Sequence, residues 1–274
     1  MEKILKNFVC RDEKRAAAKL GELKRAGADR VFVVADFDRT ITPLHNESGE
    51  EISTWGLLSR KLPKNIQLAE IELYKKYRPL ELAGKMTVED ALEWWSVNLD
   101  YYQKSDLRWT DLEAEVEEAI PARKGAVDLF NASAEKEIPT VILSAGIKDV
   151  IELWCRKFKV RPEMILSTKL RFDERGFISG WDRDSLVHTL NKGEVGQKNL
   201  AALKQNRPHS ILIGDSLDDA AMIGQNESSL RVFVDNRPEK NSKTPGFYDK
   251  VFEKFDLIIQ DQSLFSVVDI VGLL

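Results

Sequence analysis

Five short runs rich in β-branched residues mark this chain: Arg30–Ala35 (RVFVVA), Pro139–Leu143 (PTVIL), Ser210–Ile213 (SILI), Arg231–Val234 (RVFV) and Asp256–Ile259 (DLII). They read as strands buried on both faces, because their apolar residues run on rather than alternate. Between them, Gly125–Lys136, Lys148–Phe158, Gly193–Gln205 and Asp218–Ile223 carry helical spacing. Strands alternating with helices predict an α/β fold, a parallel sheet covered by helices on both faces.

One region breaks the alternation. From about Glu50 to Ile120 there is no strand pattern, only charged amphipathic stretches punctuated by Pro63, Pro79, Gly84 and Pro121. This predicts a helical domain over 47–120 inserted after the first strand, with 1–46 and 121–274 forming the α/β core. An extended Thr168–Phe172, a turn around Glu174–Gly176 and an extended Phe177–Trp181 predict a β-hairpin appended to that core. The polar run Asn236–Gly246, with two prolines, is expected to be a solvated loop.

Bulk properties remove several function classes. A formal net charge of −4, with both signs interspersed, offers no basic stripe for DNA or RNA, so a nucleic-acid polymer is not an expected partner. Cys10 and Cys155 lie far apart and form neither a disulfide framework nor a metal-ligand spacing, which suits a reducing, cytoplasmic setting. Met1–Arg15 mixes charges among its apolar residues and lacks the apolar core of a signal peptide, and no stretch approaches a membrane span. The expectation is a cytoplasmic protein with no membrane partner.

Three strand ends carry the candidate chemistry. The first strand runs into Asp36-Phe37-Asp38-Arg39-Thr40, placing two carboxylates at the carboxyl edge of a parallel sheet, where ligands bind in open α/β folds. Two aspartates so close repel unless a cation or a shared proton separates them; the alternative is an Asp-rich turn that merely caps the next segment. The second strand ends in Ser144-Ala145-Gly146 before a helix starting near Ile147, a composition suited to cradling phosphate and equally suited to a plain N-cap. The third is Ile213-Gly214-Asp215-Ser216-Leu217-Asp218-Asp219, an oxygen-rich cluster of the kind Mg²⁺ prefers, with Asp218 expected to begin or cap the following helix. Between the last two, Asn191-Lys192-Gly193 opens a helix; a lone lysine is usually solvated surface and gains weight only from its company.

In this order the motifs resemble the haloacid dehalogenase superfamily of phosphatases, whose pattern is DxDxT, a strand-end Ser or Thr, a Lys and a late GDxxxD. The resemblance spans nearly the whole chain. It implies a parallel-sheet core with a helical cap, Asp36 as nucleophile and Mg²⁺ ligand, and Asp38 as general acid and base that also offers its carbonyl to the metal. It further implies that Thr40, Ser144, Ala145, Gly146 and Lys192 hold the phosphoryl group, and that Asp215 completes the metal site with Asp219 in support. Such residues can split a hard hydrolysis into two displacements through an aspartyl-phosphate. Asp38 argues against a dehalogenase, which has no leaving alkoxide to protonate.

Within the superfamily, Ser144–Val150 (SAGIKDV), Asn191-Lys192 and Gly214-Asp215-Ser216 resemble the cytosolic pyrimidine 5'-nucleotidases of type III. In the insertion, Lys76–Glu81 and Met86–Glu89 resemble a family stretch whose glutamate contacts the nucleobase, which assigns Glu81 to the substrate, against a solvated helix-terminal acid. Asn98 falls where that family places a cap serine near the substrate, and Arg39 replaces a common methionine. Pro43–Ser53 has no obvious counterpart of the base-stacking segment. Trp94, Trp95, Tyr101 and Tyr102 are expected to pack the cap rather than stack on a base.

The resulting expectation is a Mg²⁺-dependent phosphomonoesterase acting on a nucleoside 5'-monophosphate. The alternatives are a phosphatase of the same fold for phosphoserine or a sugar phosphate, a phosphotransferase to a nucleoside, and a binding or regulatory module without turnover.

Overall fold

The computed structural model describes residues 2–224, 228–237 and 246–274. Among these residues eight strands form two sheets: β1 (Val31–Ala35), β2 (Thr140–Ile147), β3 (Met164–Thr168), β4 (Leu170–Phe172), β5 (Ile178–Trp181), β6 (His209–Gly214), β7 (Ser229–Val234) and β8 (Leu257–Ile259). The main sheet has the order β3-β2-β1-β6-β7-β8 and every pairing in it is parallel. β4 and β5 make the separate antiparallel hairpin.

The helices before and within the insertion are α1 (Glu2–Leu5), α2 (Glu13–Ala26), α3 (Thr54–Ser59), α4 (Lys64–Leu82), α5 (Val88–Gln103) and α6 (Trp109–Ala119). After it come α7 (Ala126–Glu135), α8 (Lys148–Lys157), α9 (Lys192–Asn199), α10 (Ala201–Asn206), α11 (Phe247–Lys254) and α12 (Phe265–Gly272). The β1 side chains alternate between two apolar layers: Val31, Val33 and Ala35 join one, Phe32 and Val34 the other. That two-sided burial is why the strand sequences are continuously apolar.

Several expectations need adjusting. Met164–Thr168 is a sixth strand of the main sheet; it lies at the edge, half-exposed over its first residues, so its pattern is weak. The helix expected over Gly193–Gln205 is two helices that break at Leu200. Leu217–Ile223 is a 3₁₀ helix capped by Ser216, whose Oγ accepts the N–H of Asp218, so Asp218 is capped rather than capping. In the polar run, residues 238–245 lie outside the described residues.

α3–α6 lie between β1 and β2 and hold a small apolar cluster of their own, in which Tyr77, Met86, Ala91, Trp94 and Trp95 are buried. The hairpin braces this segment: the Trp181 indole donates to Asp100 Oδ1 at 3.1 Å and the N–H of Ile178 donates to the Leu107 carbonyl at 2.9 Å.

Candidate active site

β1 stands between β2 and β6, where the strand order reverses, and the crevice at the carboxyl ends of those three strands gathers the sequence motifs. Ala35 pairs with Ile142 on one side and Ile213 on the other, so Asp36 and Asp215, just past the ends of β1 and β6, stand at nearly the same level as Ser144 in the last half of β2. A cavity of about 910 Å³ opens there, lined by the strand ends and by residues of α3–α5.

Asp36, Asp215 and Asp219 each offer a carboxylate oxygen within 4.8 Å of the others. Lys192, the first residue of α9, is buried between them and donates to Asp36 Oδ1 at 2.7 Å and to Asp219 Oδ1 at 2.6 Å. Burial opposes the ammonium charge, but Asp219 and Asp36 outweigh it and push the Lys192 pKa up. Burial pushes Asp36 up, Lys192 pulls it back, and repulsion from Asp219 and Asp215 adds to the rise. Asp215 is raised by burial and by Asp219. Three carboxylates around one ammonium leave excess negative charge in a desolvated place. The set is all hard oxygen and fits a divalent cation of the Mg²⁺ type.

Asp219 also closes its own loop, accepting the N–H groups of Asp215 at 3.0 Å and Ser216 at 2.9 Å. That closure requires Gly214, since a Cβ there would stand 2.5 Å from the Asp219 side chain. Asp38 lies beside the cluster. Its Oδ1 accepts the backbone N–H of Thr54 at 2.9 Å and its Oδ2 accepts the Thr54 hydroxyl at 2.7 Å. Burial raises its pKa, against the pull of those two bonds.

Ser144, Ala145 and Gly146 line the cavity, with the N–H of Gly146 on Ser144 Oγ at 3.2 Å. The indoles of Trp55 and Trp95 both donate to the Ala145 carbonyl, at 2.9 and 3.1 Å. Thr40 is fully buried and its Oγ1 donates to Asp215 Oδ1 at 3.3 Å; it is not on the cavity wall. Glu81 and Asn98, on α4 and α5, line the same cavity as the carboxylates. The Glu81 side chain is 10% exposed and paired with Arg78, so it is not a solvated acid. Asn98 Oδ1 is buried without a partner. Trp94 stacks on Tyr77 at 5.8 Å and Tyr102 is fully buried, so these aromatics do pack, while Trp94, Trp95 and Tyr102 also face the cavity.

Several residues at the site escaped sequence reasoning. Thr54 and Trp55 open α3, preceded by Ser53 as N-cap, and the cap was the only local signal. Arg123 is buried and gives its guanidinium to main-chain carbonyls of the Asp36–Thr42 turn. Asn236, placed by sequence in a solvated loop, donates to the Arg39 carbonyl at 2.7 Å and accepts from Arg123 at 2.7 Å.

The parallel sheet with helices on its faces and helices inserted between β1 and β2 is a fold of the haloacid dehalogenase kind. A phosphoserine phosphatase with bound substrate shares the fold, with a TM-score of 0.60 at 14% identity over 88% of this chain and 97% of that one. The chain belongs to the pyrimidine 5'-nucleotidase (UMPH-1) family, whose model matches residues 39–274, and is thus a phosphoric monoester hydrolase of the 5'-nucleotidase kind. It is 29% identical over 251 residues to a 7-methylguanosine phosphate-specific 5'-nucleotidase of Mus musculus, covering 86% of this chain and 83% of the relative. Its fold superposes on cytosolic 5'-nucleotidase IIIB bound to cytidine with a TM-score of 0.82 at 25% identity, covering 97% of this chain and 93% of the other. Among the described residues no helix is long and apolar enough to cross a membrane.

Proposed function

We propose that this chain hydrolyses nucleoside 5'-monophosphates through an aspartyl-phosphate on Asp36, with Mg²⁺ as cofactor, in the cytoplasm. The observation that carries the reading is the cavity itself. Its lining includes Asp36, Asp38, Lys192 and Asp215 from the strand-end motifs and Glu81, Trp94 and Asn98 from the helices between β1 and β2, which supports a phosphate subsite and a base subsite in one cavity.

In this reading 47–120 is the cap and 1–46 with 121–274 the catalytic core. Asp36, Asp215 and the Asp38 carbonyl hold Mg²⁺ with Asp219 in support, and the ion when bound neutralises charge on the phosphoryl oxygens and on the nucleophile. Asp36 attacks phosphorus as the bond to the 5'-oxygen breaks, and Asp38 gives its proton to that oxygen, releasing the nucleoside. Asp38, now a carboxylate, takes a proton from the water that attacks the aspartyl-phosphate, which frees Asp36 and inorganic phosphate. Lys192 and the Ser144–Gly146 segment orient the phosphoryl oxygens, with Thr40 supporting that subsite from behind through Asp215. Glu81 accepts from an exocyclic or ring N–H of the base, and Asn98 supplies its unpartnered oxygen to the substrate.

The test is phosphate release from UMP, CMP, 7-methyl-GMP, phosphoserine and a sugar phosphate, each with and without Mg²⁺. A nucleotide preference that vanishes in Asp36→Asn is expected. Equal turnover of all five, or unchanged turnover in Asp36→Asn, overturns the reading.

A further inference from the structure

Thr54 touches the reaction centre from outside every motif. It is fully buried at the first position of α3, so its backbone N–H has no partner within the helix, and that N–H goes to Asp38 Oδ1 at 2.9 Å. Its hydroxyl lies 2.7 Å from Asp38 Oδ2 and also accepts the N–H of Ile147, at the end of β2, at 3.2 Å. A hydroxyl has a single proton. With the Ile147 N–H occupying an acceptor site, that proton is directed to Asp38. The carboxylate is therefore gripped at both oxygens by one residue, which leaves it a single plane.

The surroundings are cut to fit this grip. A Cβ at Gly146 would stand 2.4 Å from Thr54 Oγ1 and 3.0 Å from Asp38 Oδ2, so only glycine lets α3, β1 and β2 meet here. The next residue, Trp55, holds the Ala145 carbonyl. The start of α3 thus fastens both the acid and the phosphate-facing segment.

We propose that Thr54 is a positioning residue that sets the direction in which Asp38 delivers its proton, and that it ties this direction to the seating of the first helix of the insertion. This rests on the reading of Asp38 as the general acid. Misplacing a reacting group by about 1 Å can cost roughly 100-fold in rate. The loss should fall only where the leaving group needs a proton, namely on an alkoxide and not on a stabilised phenoxide.

The experiment compares kcat/KM, which reports the steps through formation of the aspartyl-phosphate, on two substrates. One is whichever of UMP, CMP and 7-methyl-GMP turns over fastest; the other is p-nitrophenyl phosphate. Thr54→Val, which keeps the shape and the N–H but loses the hydroxyl, should lose about 30–100-fold on the nucleotide and less than about 3-fold on the aryl phosphate. Thr54→Ser should stay within about 3-fold of wild type on both. Equal losses on the two substrates in Thr54→Val, or a Thr54→Ser variant as impaired as Thr54→Val, overturn the proposal. If Thr54→Val does not fold, Thr54→Ala is read against the same criteria. Asp38→Asn separates the two levels. If it too loses equally on both substrates, the general-acid reading itself fails; if it loses selectively and Thr54→Val does not, only the role of Thr54 falls.

Discussion

The guanidinium of Arg123 donates through Nε to the carbonyl oxygen of Thr40 at 2.7 Å. Its other nitrogens reach the carbonyls of Arg39, Thr42 and Gln262 and the side chain of Asn236. Burial lowers its pKa to about 10, against the pull of Asp215 and Asp261, so it stays a cation at neutral pH, yet among the described residues no carboxylate is hydrogen-bonded to it. Its charge is spent on carbonyl dipoles behind the turn that carries Asp36 and Asp38. That turn holds Arg39 at φ +65°, a left-handed conformation that a non-glycine residue adopts only when its surroundings enforce it.

Removing the guanidinium should therefore loosen the turn and destabilise the fold together. Arg123→Ala strands several buried carbonyls and is expected to cost about 3 kcal/mol or more in urea unfolding, with a fall in kcat of at least about 10-fold. Arg123→Lys keeps the charge but only part of the fork, and should recover part of the stability. An Arg123→Ala protein with wild-type stability and turnover would show that the turn holds its shape unaided.

The Ala145 carbonyl takes two indole N–H groups, one from α3 and one from α5, and all three residues line the cavity. Trp55→Phe or Trp95→Phe leaves the other donor in place, so each should raise the inhibition constant for inorganic phosphate by less than about 3-fold. The double variant leaves the carbonyl unpartnered and should raise it by more than about 50-fold, a coupling of order 1 kcal/mol. Simple additivity of the two losses would mean that the indoles serve packing alone.

How far the site could be read from sequence follows from how each residue acts. Asp36, Asp215 and Ser144 stand where a continuous apolar run stops, and the run announces them. Lys192 has no such marker, because burial of a lysine depends on two aspartates distant in the chain. Arg123 and Asn236 act through hydrogen bonds to main-chain atoms far off in the chain, such as the carbonyls of Thr40 and Arg39, 83 and 197 residues away, and no local pattern encodes those. β3 was missed for a related reason: an edge strand is buried on one side only, and MILST carries too little contrast to separate it from the hairpin that follows.

Asp149, in the first turn of α8, accepts the N–H of Leu170 at 2.7 Å and so fastens the hairpin to the core. Burial pushes its pKa up to about 6. An unfolded aspartate titrates near pH ~4, so the native state binds more protons than the unfolded chain between there and about 6. Stability from this group is thus full below pH ~4 and is lost as pH rises through about 6, by about 3 kcal/mol in all. Asp149→Asn offers the same acceptor with no charge to bury. Urea midpoints should show it more stable than wild type at pH ~7.5 and level with it near pH ~4. A variant less stable at both would mean the ionised carboxylate is the better partner for Leu170.

Asp215 and Asp219 share one cluster but are committed differently. Asp219 has both oxygens engaged at 3.0 Å or less, by Lys192 and by two N–H groups of its own loop. Among the described residues the Asp215 carboxylate makes only long hydrogen bonds, 3.3 Å from Thr40 and 3.4 Å from Asn236, so its oxygens are open to a cation. Without metal its charge adds to the repulsion around Asp36, and Arg39, Lys192 and Arg123 offset part of it. Asp215→Asn should therefore leave the melting temperature of chelator-treated protein unchanged or higher, while abolishing its rise with Mg²⁺. In wild type that rise is expected to be roughly 5–10 °C at a hundredfold excess over Kd. Asp219→Asn breaks the loop and the lysine pairing, and should lower the metal-free melting temperature itself. Thermal scans of the three proteins, with EDTA and then with a Mg²⁺ titration, separate the two roles; the same pattern in both variants would mean that the cluster acts as one undivided site.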